Sequence, residues 1–140
     1  MSVEPRDLAV QALYEADQRD FPNRPTDLPP KAARLVAGVL AHVRELDEEI
    51  DKASEHWRVQ RMPVVDRAIL RLGLYELRFE TETPAAVVVA EAVRLAKTFS
   101  TERSGAFVNG VLATLPSRNA ISAAQLFGAA RDGGHGSLRT

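Results

Sequence analysis

Three observations predict an all-α protein, a single-domain bundle of about seven helices. Apolar residues recur at i, i+3 and i+4 in one segment after another between Glu4 and Leu115, the pattern of amphipathic helices. No strand period holds through any of these segments, and no unit repeats. One stretch, Pro63–Leu77 (PVVDRAILRLGLYEL), is apolar over most of the circumference of a 3.6-residue helix. A surface helix shows a single apolar stripe, whereas one that is apolar nearly all round has protein on most sides. Pro63–Leu77 is therefore the expected central helix, with Pro63 in its first turn.

The other elements follow in order. From Glu4 to about Arg19, Leu8, Ala9, Ala12, Leu13 and Ala16 share one helix face, with Val10 and Tyr14 on an adjacent stripe. Pro5 suits the first turn of this helix. Asp20–Pro30 holds Pro22, Pro25, Pro29 and Pro30 and reads as a loop. Lys31 to about Val43 resumes the helical period through Ala32, Leu35, Val36, Val39 and Leu40. A further run, Leu46–His56, puts Ile50, Ala53 and Trp57 on one side and Asp47, Glu48, Glu49 and Asp51 toward solvent. The pattern leaves open whether these two runs form one helix or two. The acids read as a solvated face and not as a metal site, because no histidine or further carboxylate completes a ligand set.

Arg58–Met62 reads as a polar connector, and the central helix is expected to end near Phe79–Glu82, before Thr83-Pro84. Val87–Val89 could open a strand, but helical spacing continues through Ala92, Val93, Leu95, Ala96 and Phe99. Ser100–Gly105 is expected as a turn with capping residues. A short helix then carries Phe107, Val108, Val111, Leu112 and Leu115, with Asn109 buried against a neighbour and Gly110 allowing a close approach. Pro116 stops it. Ile121–Ala130 reads as a weak last helix and Arg131–Thr140 as a disordered tail, so the domain is placed at 1–118 and an appendage at 119–140.

Composition narrows the chemistry. The absence of cysteine among 140 residues excludes disulfides, thiolate metal sites and cysteine catalysis, and fits a reducing cytoplasm. No apolar run approaches the ~20 residues needed to span a bilayer, and MSVEPRDLAV lacks a signal-peptide pattern. A soluble cytoplasmic protein without a membrane partner is expected. Residues 1–56 carry seven Lys/Arg against twelve Asp/Glu, whereas residues 57–118 carry nine against six. That asymmetry fits either a face suited to an anionic partner or ordinary surface variation.

No phosphate-cradling glycine loop, zinc-binding helix motif or nucleophile elbow is present, and His42, His56 and His135 are scattered and read as surface or packing residues. No carboxylate pair suited to general acid–base work is evident. Enzyme activity, metals and cofactors are therefore not expected, and binding is. Arg67 and Arg71, one turn apart, with Arg78 beyond, form either a basic stripe on the central helix or ion pairs with acids of the first half. Phe107, opening a short helix after a turn, could offer a stacking face to a base or pack in the core. The Tyr14 ring is expected to pack while its hydroxyl reaches a partner.

Four segments carry a family resemblance: AVQALYE (Ala9–Glu15), PVVDRAILRLGLYEL (Pro63–Leu77), PAAVVVAEAVRLAKTFS (Pro84–Ser100) and GAFVNGVLATL (Gly105–Leu115). In this order and spacing, from about Arg6 to Leu115, the chain resembles the bacterial NusB family of transcription antitermination factors. The resemblance implies a seven-helix fold without catalysis. It further implies binding to the boxA segment of nascent ribosomal RNA leaders together with NusE, a small-subunit ribosomal protein, within the transcription elongation complex. By the same resemblance Phe107 matches an aromatic that contacts RNA, and Arg6 the last arginine of an arginine-rich N-terminal segment. Asp66 and Tyr14 match positions associated with NusE docking.

The chain departs from the family where relatives carry several N-terminal arginines. Residues 1–20 hold two arginines against Glu4, Asp7, Glu15, Asp17 and Asp20. Phosphate contacts supply most RNA affinity, so RNA contact is expected to be weak at this arm or to pass to Arg67, Arg71, Arg78, Lys97 and Arg103. Arg103 stands where relatives often have an acid and adds a cation beside Phe107. Two other readings remain: a protein-binding or homodimeric module with weakened RNA contact, and the accessory domain of a ribosomal RNA cytosine methyltransferase. The second is disfavoured here because the chain ends at residue 140.

Overall fold

Helix α4, Val64–Phe79, lies at the centre, and eleven of its sixteen residues are buried. The computed structural model describes residues 4–19, 27–55 and 57–115. Around α4 pack α1 (Pro5–Gln18), α2 (Pro30–Ala41), α3 (Val43–Ala53), α5 (Ala85–Phe99) and α6 (Glu102–Thr114). Among the described residues there are six α-helices and no strand, with one 3₁₀ turn at Val59–Arg61. The expected seventh helix, Ile121–Ala130, and the tail after it lie outside the described residues, as does most of the Asp20–Pro30 loop.

Proline and a hydroxyl set the helix starts. Pro5 and Pro30 occupy first-turn positions, while Pro29, Pro63 and Pro84 precede their helices with extended ψ. A proline there loses no helical hydrogen bond and already has a suitable φ. Helix α6 uses a side-chain cap: the Ser104 N–H donates to Thr101 Oγ1 at 3.0 Å. The helix therefore begins at Glu102, earlier than the turn expected over Ser100–Gly105.

The two runs between Lys31 and His56 are separate helices. His42, at φ −120°, ends α2 and starts α3, and α3 stops at Ala53. The connector after it is an anchor and not simply polar, since Val59 and Met62 are both buried. The Val59 N–H donates to Asp51 Oδ1 at 2.8 Å, tying the 3₁₀ turn back to α3.

The core joins Leu13 of α1, Leu35 and Val39 of α2, Leu46 and Ile50 of α3, Val88 and Leu95 of α5, and Val108 and Leu112 of α6 around Ile69, Leu70, Leu72 and Leu74. Gly38 admits the Tyr75 ring against α2, and a Cβ at that position would collide with it. Tyr75 has little room to retreat, because Phe79 stacks on it at 5.1 Å and His42 on Phe79 at 4.4 Å. Gly110 and Asn109 differ from expectation. Both are exposed, and a Cβ on Gly110 would meet nothing within 4 Å. Helix α6 packs through Val108, Val111 and Leu112, which turns these two positions toward solvent.

Gly38→Ala is expected to destabilise the protein by about 1–3 kcal/mol, the usual effect of overpacking a filled site. A thermal melt reads this directly, and an unchanged melting temperature would show that the Tyr75 ring can move aside.

Candidate nucleic-acid interface

Charged side chains on a helix as buried as α4 must find partners, because an unpaired charge away from water is costly. Helices α1 and α3 supply them. Arg67 donates from Nε to Asp17 Oδ2 at 2.7 Å and from Nη2 to Oδ1 at 2.8 Å. Arg71 forks onto Asp47 at 2.7 and 2.9 Å and reaches Asp17 with its third nitrogen at 3.0 Å. Arg78 pairs with Glu49. Of the two readings of these arginines, the ion pairs with acids of the first half hold and the basic stripe does not, and Arg71 is only 6% exposed. Asp17, Asp47 and Glu49, three of the twelve acids of residues 1–56, are the other half of these pairs. Asp47, Glu49 and Asp51 accordingly do not form a merely solvated face.

Arg6 points inward too. Its guanidinium grips Glu76 through Nε at 2.9 Å and Nη2 at 2.8 Å, with Glu4 and Glu91 nearby. The hydrogen bond to Glu76 raises the Arg6 pKa above its ordinary value against the opposing effect of burial. Burial pushes the Asp17 carboxyl upward, but the hydrogen bond from Arg67 and the charges of Arg71 and Arg67 outweigh it. Asp17 therefore stays below its ordinary pKa.

Asp66 is 1% exposed, and its Oδ2 accepts from the Ser104 hydroxyl at 2.9 Å. This bond ties the start of α6 to the start of α4, while the buried Oδ1 has no hydrogen-bond partner among the described residues. Tyr14 stands out on α1 at 39% exposure, contrary to the expected packing of its ring.

The open surface lies on α6 and beside it. Arg103 is exposed and has no ionic partner among the described residues. Four residues on, and so on the same helix face, Phe107 is half-buried, with its inner side against the core. Lys97 of α5 lays its stem across Gly105, and its exposed ammonium lies 3.8 Å from Glu102. A cleft of about 320 Å³ opens beside Phe107, lined by Ala53, Glu55, Gly110, Val111 and Thr114. The structure thus puts Arg103 and Phe107 on one face of α6, sets Lys97 against Gly105 on another, and turns Arg6, Arg67 and Arg71 inward.

Sequence reasoning missed Trp57. Its spacing from Ile50 and Ala53 placed it on the packed face of α3, but the helix stops at Ala53 and the indole emerges 45% exposed. Its ring centroid lies 5.3 Å from that of Phe107. The one signal available was its setting, an aromatic between Glu55-His56 and Arg58.

The architecture defines a class: a helical binding module whose core is closed and whose rings and cations lie on an open face. Among the described residues no helix is long and apolar enough to cross a membrane. A sequence model of the NusB family matches residues 3–116, and the chain belongs to that family. It is 48% identical over 125 residues to transcription antitermination protein NusB of Acidothermus cellulolyticus, covering 82% of this chain and 86% of that one. The NusB of Streptomyces avermitilis is 46% identical over 125 residues, covering 79% and 87%. Among solved structures, T. maritima NusB superposes with a TM-score of 0.71 at 33% identity, over 86% of this chain and 93% of that one. A chain from a complex of antitermination factors NusB and NusE with dsRNA gives 0.66 at 31%, over 78% and 90%.

Two stability predictions follow from the ion pairs. Arg6→Ala strands the Glu76 carboxylate and is expected to lower the unfolding free energy by about 3–5 kcal/mol in a denaturant titration; a loss under ~1 kcal/mol would mean that water replaces the guanidinium. Asp17 has a folded pKa below its unfolded value of about 3.9. Its contribution is therefore complete above that pH and drains away as the pH falls through the folded pKa. Acid melts should show this loss in the native chain and a weaker dependence below pH ~4 in Asp17→Asn.

Proposed function

We propose that this chain is a transcription antitermination adaptor that binds boxA-type RNA of ribosomal RNA leaders together with NusE. It works in the cytoplasm, joins the transcription elongation complex and catalyses no reaction. The observation that carries this reading is the α6 surface: in a NusB-family fold, Phe107 presents a half-open ring with Arg103, which has no ionic partner among the described residues, one turn away. A flat ring beside a cation suits an unstacked base and its phosphate. Likeness to the NusB chain solved with NusE and dsRNA supports the same assignment.

The roles divide among the residues. Phe107 stacks on a base, and Arg103 and Lys97 meet phosphates. Tyr14 offers an exposed ring to NusE, and Asp66 acts on docking by positioning helices. Arg6, Arg67 and Arg71 serve RNA binding indirectly, by holding α1 and α3 on α4. The binding unit is residues 1–118, and residues 119–140 are an appendage to it. The arginines of α4 are engaged inside the bundle, so RNA binding by this chain alone is weak, and NusE supplies much of the affinity.

Titration with boxA-type RNA should show binding that strengthens when NusE is added and falls with salt. Phe107→Ala should weaken it by about 1–3 kcal/mol while the protein stays folded. Absence of binding at low salt with NusE present would overturn the proposal. A lowered melting temperature with unaltered affinity would make Phe107 a packing residue only.

A further inference from the structure

Phe107 shares its surface with a second ring. Trp57 lies between α3 and the 3₁₀ turn, and hydrogen bonds tie Trp57 and Val59 back to α3 and the residue after it. The Trp57 backbone N–H donates to Ser54 Oγ at 3.3 Å, and Val59, two residues on, is buried and bonded to Asp51. The indole stands 45% exposed, although burying so large a ring would be favourable. It tilts 58° from the Phe107 ring. A second cleft of about 350 Å³ opens on its side, lined by Lys52, Ser54, Glu55 and Arg58, while the Phe107 cleft opens on the other.

We propose that Trp57 and Phe107 form a stepped platform that takes two successive bases of a single-stranded RNA, one on each ring. Rings tilted by 58° cannot close on one base as parallel walls, so the two rings offer separate positions to successive bases. A duplex hides its base faces, so the ligand is unpaired strand. Lys52 and Arg58 are exposed at the Trp57 end, but Asp51 and Glu55 border the same cleft and offset them. Attraction at this end therefore comes from ring stacking and not from net charge.

The inference rests on the RNA-binding reading above, and the test separates the two. Trp57 is the only tryptophan of the chain, so its fluorescence reports on this platform alone. The full chain with NusE is titrated with an unstructured boxA-type RNA oligonucleotide, following tryptophan emission and RNA anisotropy together, with NusE's own emission subtracted. Emission should quench along the same isotherm as the anisotropy. Trp57→Ala should weaken binding about tenfold, within the range for loss of one stacked base. The slope of affinity against salt should stay unchanged, because no phosphate contact is removed. Trp57→Phe keeps a ring and should restore most of the affinity, which guards against a folding defect in the alanine variant. If Phe107→Ala loses affinity while Trp57→Ala binds like the native chain without quenching, the platform is overturned and the RNA-binding reading stands. If the native chain binds no RNA with NusE present, that reading fails and takes the platform with it.

Discussion

Pairing of the charges on the central helix is the constraint on which the rest of this structure depends. Helix α4 is covered by five other helices, yet it carries Asp66, Arg67, Arg71, Glu76 and Arg78. Each has to meet a counter-charge or a hydroxyl brought by a neighbour, because removing one partner of such a pair costs more than the pair contributes. These contacts also set directions. Arg6 binds Glu76 near the C-terminal end of α4, and Asp17 binds Arg67 and Arg71 nearer its N-terminal end. Helix α1 must therefore run antiparallel to α4. Eleven residues separate the two contacts on one helix and nine the outer two on the other, roughly 16 and 14 Å at 1.5 Å per residue, so the two ladders match.

This constraint has a consequence for function. The arginines of α4 hold the bundle together and do not offer a basic strip to an anionic partner. Thr101 caps α6, and Asp66 reaches across to Ser104. A carboxylate at the start of the central helix thus fixes the start of the helix that displays Arg103 and Phe107. Loss of that contact would disturb the display without touching any displayed residue.

Much of the architecture was legible from periodicity. The central helix, its neighbours α1, α5 and α6, and the proline-marked starts all follow from local rules, because apolar spacing and missing N–H groups act within a few residues. Legibility declined where a residue's environment comes from another helix. Trp57 continued the apolar spacing of Ile50 and Ala53, yet the helix ended before it. Asn109 and Gly110 fell inside a helical run, but spacing could not say which arc of α6 faces the core. The arginines of α4 allowed two readings, stripe or ion pairs, and only the positions of Asp17, Asp47 and Glu49 decided between them.

The division between the two sources is therefore physical. By itself the sequence determined the all-helical class, the identity of the buried middle helix and, through its four motifs, the family, since each depends on order and spacing along one chain. Tertiary structure alone decided which charges are neutralised, that Tyr14 and Trp57 stand in solvent, and that Trp57 meets Phe107 fifty residues away. Those outcomes depend on distances between helices, and the pattern within any single helix carries no record of them.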